Sequence, residues 1–241
     1  MSTERRNIAG RYMILWGLVL LGFLVVLGLA AKTAAVTSAD VHLNEQLLPL
    51  RDGLPTALAK AATTAASSKV GVAAAVLVPV VLWVARRRVD AVRVLFLIGG
   101  TLAVAFAAKL LIHEHRPPQR LWLIPPDNAQ SFPSGHTAVA TALVLTVIFL
   151  TRGAWRYLFV VLGAVAVVGV AFARMYLGVH YLPDVMGGFT SGLGSLLLTG
   201  GVARLPVVST RLEALDRARS RGRHAAPSDP GASHQEPALH R

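Results

Sequence analysis

A chain of 241 residues that is 54% hydrophobic and only 15% charged excludes an ordinary soluble domain and fits a polytopic membrane protein. The lack of cysteine excludes a disulfide framework, thiolate catalysis and cysteine metal ligands. The formal charge of +12 comes without a nucleic-acid-binding motif and from arginines that flank apolar runs, so it reads as membrane topology and no nucleic-acid partner is expected.

Residues 12–31 are an uncharged run long enough to cross a bilayer, preceded by Arg5, Arg6 and Arg11. The run is too long for a signal-peptide core and no clear cleavage site follows, which predicts a retained first helix. Residues 37–60 are polar with Val41, Leu43, Leu47 and Leu48 interspersed, the pattern of a short amphipathic helix lying on the membrane surface. A second span is expected over residues 61–85, stopped by Arg86, Arg87 and Arg88. A third follows over 94–109, and a fourth from the Pro133-Ser134-Gly135-His136 motif to about 151. The fifth and sixth cover 157–173 and 185–203. Several of these runs are shorter than the usual ~20 residues, and segments with polar residues at one end make up the difference. Gly188 and Gly192 form a G-x-x-x-G pair in the sixth span, suited to close packing within the bundle more than to a dimer face.

The expectation is therefore an all-α bundle with three parts: an N-terminus at 1–11, a six-span domain at 12–203 and a basic disordered tail at 204–241, rich in Arg, Pro, Ser and Ala. Six spans put both termini on one side. Of the 24 lysines and arginines, 16 then lie on the terminal side and 8 opposite, which makes both termini cytoplasmic in a plasma-membrane protein. Trp16, Trp83 and Trp155 fall near the inner boundaries, where aromatic belts belong.

Three charged groups stand at span ends. The first is Lys109, six residues, then Arg116 and Pro117; the second is Pro133 to His136; the third is Arg174, five residues, His180, three residues, Asp184. Singly, each has an ordinary explanation: a snorkelling lysine, interfacial arginines, helix-start chemistry, a solvated turn. The topology puts all three at the outer ends of spans three to six, where one site could gather them. Three cations, two histidines and a carboxylate suit phosphoryl transfer, whose transition state spreads charge over three equatorial oxygens. Arg116 and Arg174 offer forked contacts and Lys109 a point charge. The N–H groups of Ser134, Gly135 and His136 open a helix, and helix N-termini bind anions. Asp184 in the first turn of the sixth helix can hydrogen-bond the His180 ring and hold its tautomer, which makes His180 the better nucleophile. His136 is then the acid for the leaving alkoxide.

These motifs resemble the signature of the type 2 phosphatidic acid phosphatase family, K-x6-RP, PSGH and SR-x5-H-x3-D, which includes bacterial polyprenyl-diphosphate phosphatases. The resemblance covers residues 12–203. It implies a membrane helical bundle related to the acid phosphatase and vanadium haloperoxidase core. It also implies phosphate binding by Lys109, Arg116, Ser134, Gly135 and Arg174, a phosphohistidine at His180 oriented by Asp184, acid catalysis by His136, and no metal or other cofactor. Ala173 departs from the pattern, standing where the family usually has serine; a hydroxyl contact to phosphate is expected to be missing. The six apolar spans argue against the soluble haloperoxidase branch.

The substrate implied is a membrane lipid phosphate or diphosphate: polyprenyl diphosphate, phosphatidic acid or phosphatidylglycerol phosphate, approached from the outer membrane face. The alternatives are a lipid phosphotransferase of the same family and a non-catalytic anion-binding or transport protein, although no repeated halves or broken mid-membrane helices support transport. His113 and His115 flank Glu114, but residues two apart do not share a helix face and no metal site is read there. His42, His224, His234 and His240 have no partners that can be named. The apolar residues around Trp122 suggest a loop at the lipid entrance.

Overall fold

The computed structural model describes residues 3–224. Nine α-helices run through them: α1 (Thr3–Ala31), α2 (Ala34–Gln46), α3 (Gly53–Ala65), α4 (Ser68–Val84), α5 (Arg88–Ile112), α6 (Gly135–Leu150), α7 (Ala154–Tyr176), α8 (Leu182–Val202) and α9 (Pro206–His224). Five stretches are long and apolar enough to cross a membrane: α1, the Gly53–Val84 stretch holding α3 and α4, α5, α7 and α8. The expected fourth span, α6, has 16 residues and falls short of that length.

α8 is the hub, packed against α1, α5, α6 and α7. Small residues let it in. A Cβ on Gly188 would lie 2.5 Å from the Ser134 carbonyl oxygen, and one on Gly192 2.5 Å from Thr141 Cγ2. The G-x-x-x-G pair thus seats α8 on α6 within the bundle, where van der Waals packing between close backbones replaces the hydrophobic effect. Large apolar side chains of α1, α4 and α7, among them Val26, Val81 and Val165, point outward, as lipid-facing surfaces require.

Three segments differ from the sequence expectation. The second span begins at Gly53 and breaks at Ala66–Ser67, where the Ser67 hydroxyl accepts from the Val70 N–H and starts α4; such a cap is invisible to a count of apolar residues. α2 does not merely rest on a surface. It buries Asp40 and Asn44, because Asn44 donates to the His180 carbonyl and Asp40 accepts from the Leu182 N–H. The basic segment expected to be disordered is helical over Pro206–His224. Leu212 and Ser209 are buried, and Arg6 of α1 holds α9 through Glu213 at 3.0 Å and Ser209 at 3.0 Å. Tertiary contacts supply what the segment lacks in apolar periodicity. His234 and His240, with the rest of 225–241, lie outside the described residues.

Candidate active site

One end of the bundle gathers the C-terminal ends of α5 and α7, the N-terminal ends of α6 and α8, and the loops 113–134 and 177–181. The second loop turns at Gly178, whose φ is +75° and whose Cβ position would lie 1.7 Å from the Leu121 carbonyl oxygen. Only glycine fits there. Arg51 staples the two loops together: its Nε donates to the Tyr176 carbonyl and its Nη2 to the Leu121 carbonyl, both at 2.9 Å. Asn44 of α2 donates to the His180 carbonyl at 3.1 Å.

His180 and Asp184 are fully buried, 1% and 0% exposed. Asp184 Oδ2 lies 3.0 Å from His180 Nδ1 and accepts from the Tyr181 N–H at 2.8 Å and from the Ser131 hydroxyl. On the far side of the ring, Arg116 Nη1 lies 2.8 Å from Nε2. A guanidinium can only donate, so Nε2 accepts and Nδ1 carries the proton to Asp184. The ring is therefore the neutral tautomer with its lone pair on Nε2. Burial, followed by the fields of Arg116, Arg174 and Lys109, pushes the His180 pKa well below the ordinary histidine value.

The three cations stand at this same end of the bundle. Arg116 is braced by Asn128, whose carbonyl accepts from Nε at 3.1 Å and whose side chain accepts from Nη2 at 3.0 Å, and by the Val179 carbonyl at 2.7 Å. Lys109 Nζ donates to the carbonyls of Gln130 at 3.0 Å and Ser131 at 3.3 Å, which ties α5 to the strand of loop leading into α6. Arg174 is 1% exposed, and its Nε is buried without a hydrogen-bond partner among the described residues. Its Nη2 lies 3.3 Å from Asp127, whose carboxylate is also 3.6 Å from His136 Nδ1.

Ser134 takes a different position from the one expected. Its N–H donates to the Asp184 carbonyl at 2.9 Å, and its hydroxyl accepts from the Thr137 N–H and hydroxyl. It caps α6 and pins α6 to α8, which leaves the N–H groups of Gly135 and His136 as the unpaired donors of the first turn. Ala173 packs in an apolar cluster with Leu47, Ala59 and Tyr176. Trp122 packs against that same cluster and donates to the Pro117 carbonyl at 2.8 Å, so its loop folds back onto the α7–α8 connection. His113 and His115 are exposed while Glu114 is buried. Ser131, Asp127, Asn128, Arg51 and Asn44 were not singled out from the sequence. They belong to no spaced motif, and only folding brings them within reach.

The PAP2 superfamily pattern matches residues 90–203, the stretch that holds all three motifs. A solved structure, the first transmembrane PAP2 type phosphatidylglycerolphosphate phosphatase from Bacillus subtilis, superposes with a TM-score of 0.68 at 26% identity, covering 77% of this chain and 94% of that one. Residues 90–203 belong to the PAP2 superfamily. The curated relatives are phosphatases by name. Among curated relatives, phosphatidylglycerophosphatase B of Bacillus subtilis (strain 168) is 27% identical over 74% of this chain and 90% of its own length. Undecaprenyl-diphosphatase of Sulfolobus acidocaldarius is 32% identical over 39% of this chain and 50% of its own length.

Proposed function

We propose that this PAP2 enzyme hydrolyses the phosphate or diphosphate of a membrane lipid through a phosphohistidine at His180, on the outer face of the plasma membrane. The observation that carries the reading is the pairing of a neutral, Asp184-held imidazole with three cations, one of them the buried Arg174 whose Nε has no acceptor among the described residues. Phosphoryl oxygens are the acceptors that such a set of donors suits.

In the first step His180 Nε2 attacks phosphorus, the bond from phosphorus to the lipid oxygen breaks, and His136, protonated as the phosphate anion enters and offsets the surrounding cations, gives that oxygen its proton. Arg116 shifts its donation from Nε2 to the phosphoryl oxygens, which frees the lone pair at the moment it is needed. Arg174 and Lys109 hold the remaining charge. Asp184 stabilises the positive charge that develops on the ring. In the second step a water attacks the phosphohistidine, neutral His136 takes its proton, and the P–N bond breaks to release inorganic phosphate.

An apolar cleft of about 620 Å³ between α3, α6 and α7 supports a lipid substrate. Its walls include Ala140, one helical turn beyond His136, and Ala173, next to Arg174, so a hydrocarbon tail lying there has its head at the cations. The names of the relatives support phosphatidylglycerol phosphate and a polyprenyl diphosphate as the head groups to try first.

Leaving-group dependence tests the two histidine roles. His180→Ala should abolish turnover of every substrate. His136→Ala should lose about 10² to 10⁴-fold on a lipid phosphate, the usual contribution of a general acid, and much less on an aryl phosphate that departs as a stable anion. Equal losses on both substrates at saturation would remove His136 from the acid role, and rescue of the His180 variant would reverse the assignment.

A further inference from the structure

A second charged cavity lies at the opposite end of the bundle. Arg93 on its wall and Lys109 of the active site share α5 sixteen residues apart, roughly 24 Å at the helical rise of 1.5 Å per residue. The cavity has a volume of about 920 Å³ and is lined by Arg6, Arg87, Arg88, Arg93, Arg152 and Arg204, against the carboxylates of Asp90 and Glu213. Phe149, Leu150 and Leu212 supply an apolar wall beside them.

The basic residues at this end follow from topology, but their arrangement does not. Interfacial arginines ordinarily extend into water or headgroups one by one. Here α1, the start of α5, the α6–α7 loop and the α8–α9 connection bring them to one concavity, and α9 forms a wall of it, held by Arg6. The ion pairs use only part of the charge. Arg6 pairs with Glu213 at 3.0 Å and Arg87 with Asp90 at 2.8 Å. Arg88 lies 5.4 Å from the Trp83 ring, and Arg204 donates to the Gly200 carbonyl at 2.7 Å. Arg93, Arg152 and Arg204 join none of the ion pairs among the described residues, and Arg93 Nε is buried without an acceptor. Guanidinium groups in a partly desolvated cavity attract oxyanions, and several of them converging suit the multiple anionic oxygens of a phosphate. The apolar wall at the membrane boundary extends that preference to a phospholipid head group.

We propose that this cavity binds a phosphate-bearing anion, separately from the catalytic cluster and on the other face of the membrane. α9 is its wall, which gives the basic C-terminal segment a role in ligand binding. Its described lining holds no histidine, and its two carboxylates are engaged by Arg6 and Arg87, so the site binds and does not turn over.

The test uses the full-length purified protein in neutral detergent, with two probes: dioctanoyl phosphatidylglycerol, compared with the phosphatidylcholine of equal chain length, and inorganic pyrophosphate. Native mass spectrometry and calorimetric titration report binding. The expected result is retention of at least one probe, preference for phosphatidylglycerol over phosphatidylcholine if the lipid is the ligand, and at least tenfold weaker binding in Arg93→Gln/Arg152→Gln. Arg116→Gln, in the catalytic cluster, should leave this binding event unchanged. The double variant should keep turnover of a water-soluble aryl phosphate within about twofold. Arginine-dependent binding of phosphatidylglycerol alone assigns a head group, and of pyrophosphate alone a soluble anion. Binding of neither probe, equal binding of phosphatidylcholine, or unchanged affinity in the double variant overturns the proposal. Should the double variant aggregate, Arg152→Gln alone, at an exposed position, is read by the same criteria with a threefold threshold.

Discussion

At the scale of single residues, the site depends on which atom of His180 carries a proton. Asp184 Oδ2 is held by the Tyr181 N–H, the Ser131 hydroxyl and the His180 ring together, so the carboxylate has little freedom to move. Asp184→Asn presents an N–H donor or a weaker acceptor to Nδ1, and turnover should fall by about 10⁴-fold, the cost of the wrong tautomer in a serine protease triad, while the protein still folds and inserts. Ser131→Ala removes one hydrogen bond to a charged group, worth roughly 1.5 to 3 kcal/mol, and should lower turnover at least tenfold. Steady-state kinetics on the purified variants checks both; near-parental rates in Asp184→Asn would reduce the carboxylate to a helix cap. The pH dependence follows from the depressed His180 pKa. Attack requires the neutral ring, so activity is lost as pH falls through that depressed value. The acid limb of kcat/KM, corrected for ionisation of the substrate, should therefore lie below the ordinary histidine pKa of about 6.5. Arg116→Gln removes the leading charge that depresses it and should move the limb to higher pH. A limb that stays put would mean another group controls it.

At the scale of elements, close approach of α6 and α8 decides whether His136 and Asp184 share a site. Gly188 is the contact point, with the Ser134 carbonyl where a Cβ would go. Gly188→Ala should cost about 1 to 3 kcal/mol through overpacking and shift the start of α6, lowering both the thermal midpoint and turnover. Gly22→Ala on α1, with nothing within 4 Å of its Cβ position, is the control and should match the parent in both measurements. If the two variants behave alike, the α6–α8 contact does not position the site. The same scale explains α9. Its residues read as a solvated basic tail, yet Arg6, Ser209 and Glu213 fasten it to α1, because a helix without a strong apolar stripe still forms where tertiary partners hold it.

At the scale of the whole molecule, the active site and the arginine cavity lie at opposite ends of one bundle, and the proposed orientation says which end faces out. The lack of cysteine makes any introduced thiol unique. In intact cells a membrane-impermeant maleimide should label Gln119→Cys, in the loop between α5 and α6, and should reach Ala154→Cys, at the start of α7, only after the membrane is opened. The reverse pattern would put phosphate release on the cytoplasmic side.

The sequence by itself determined the membrane bundle, because long uncharged runs have no other stable home. It also picked out Lys109, Arg116, His136, Arg174, His180 and Asp184, the residues of the proposed phosphate site, because their spacings within each motif are short-range and survive as local geometry. Only the tertiary structure decided that Ser134 caps α6 and holds α8 instead of offering its N–H to phosphate, since its partner, the Asp184 carbonyl, is 50 residues away. It likewise supplied Ser131 to Asp184, Asn128 to Arg116, Asp127 to Arg174 and His136, and Arg51 to the two loops. None of these contacts repeats with a helical or strand period. Each exists because α8 comes close to α6 and because Gly178 lets one loop lie against another, and such long-range proximity leaves no local mark in the order of the residues.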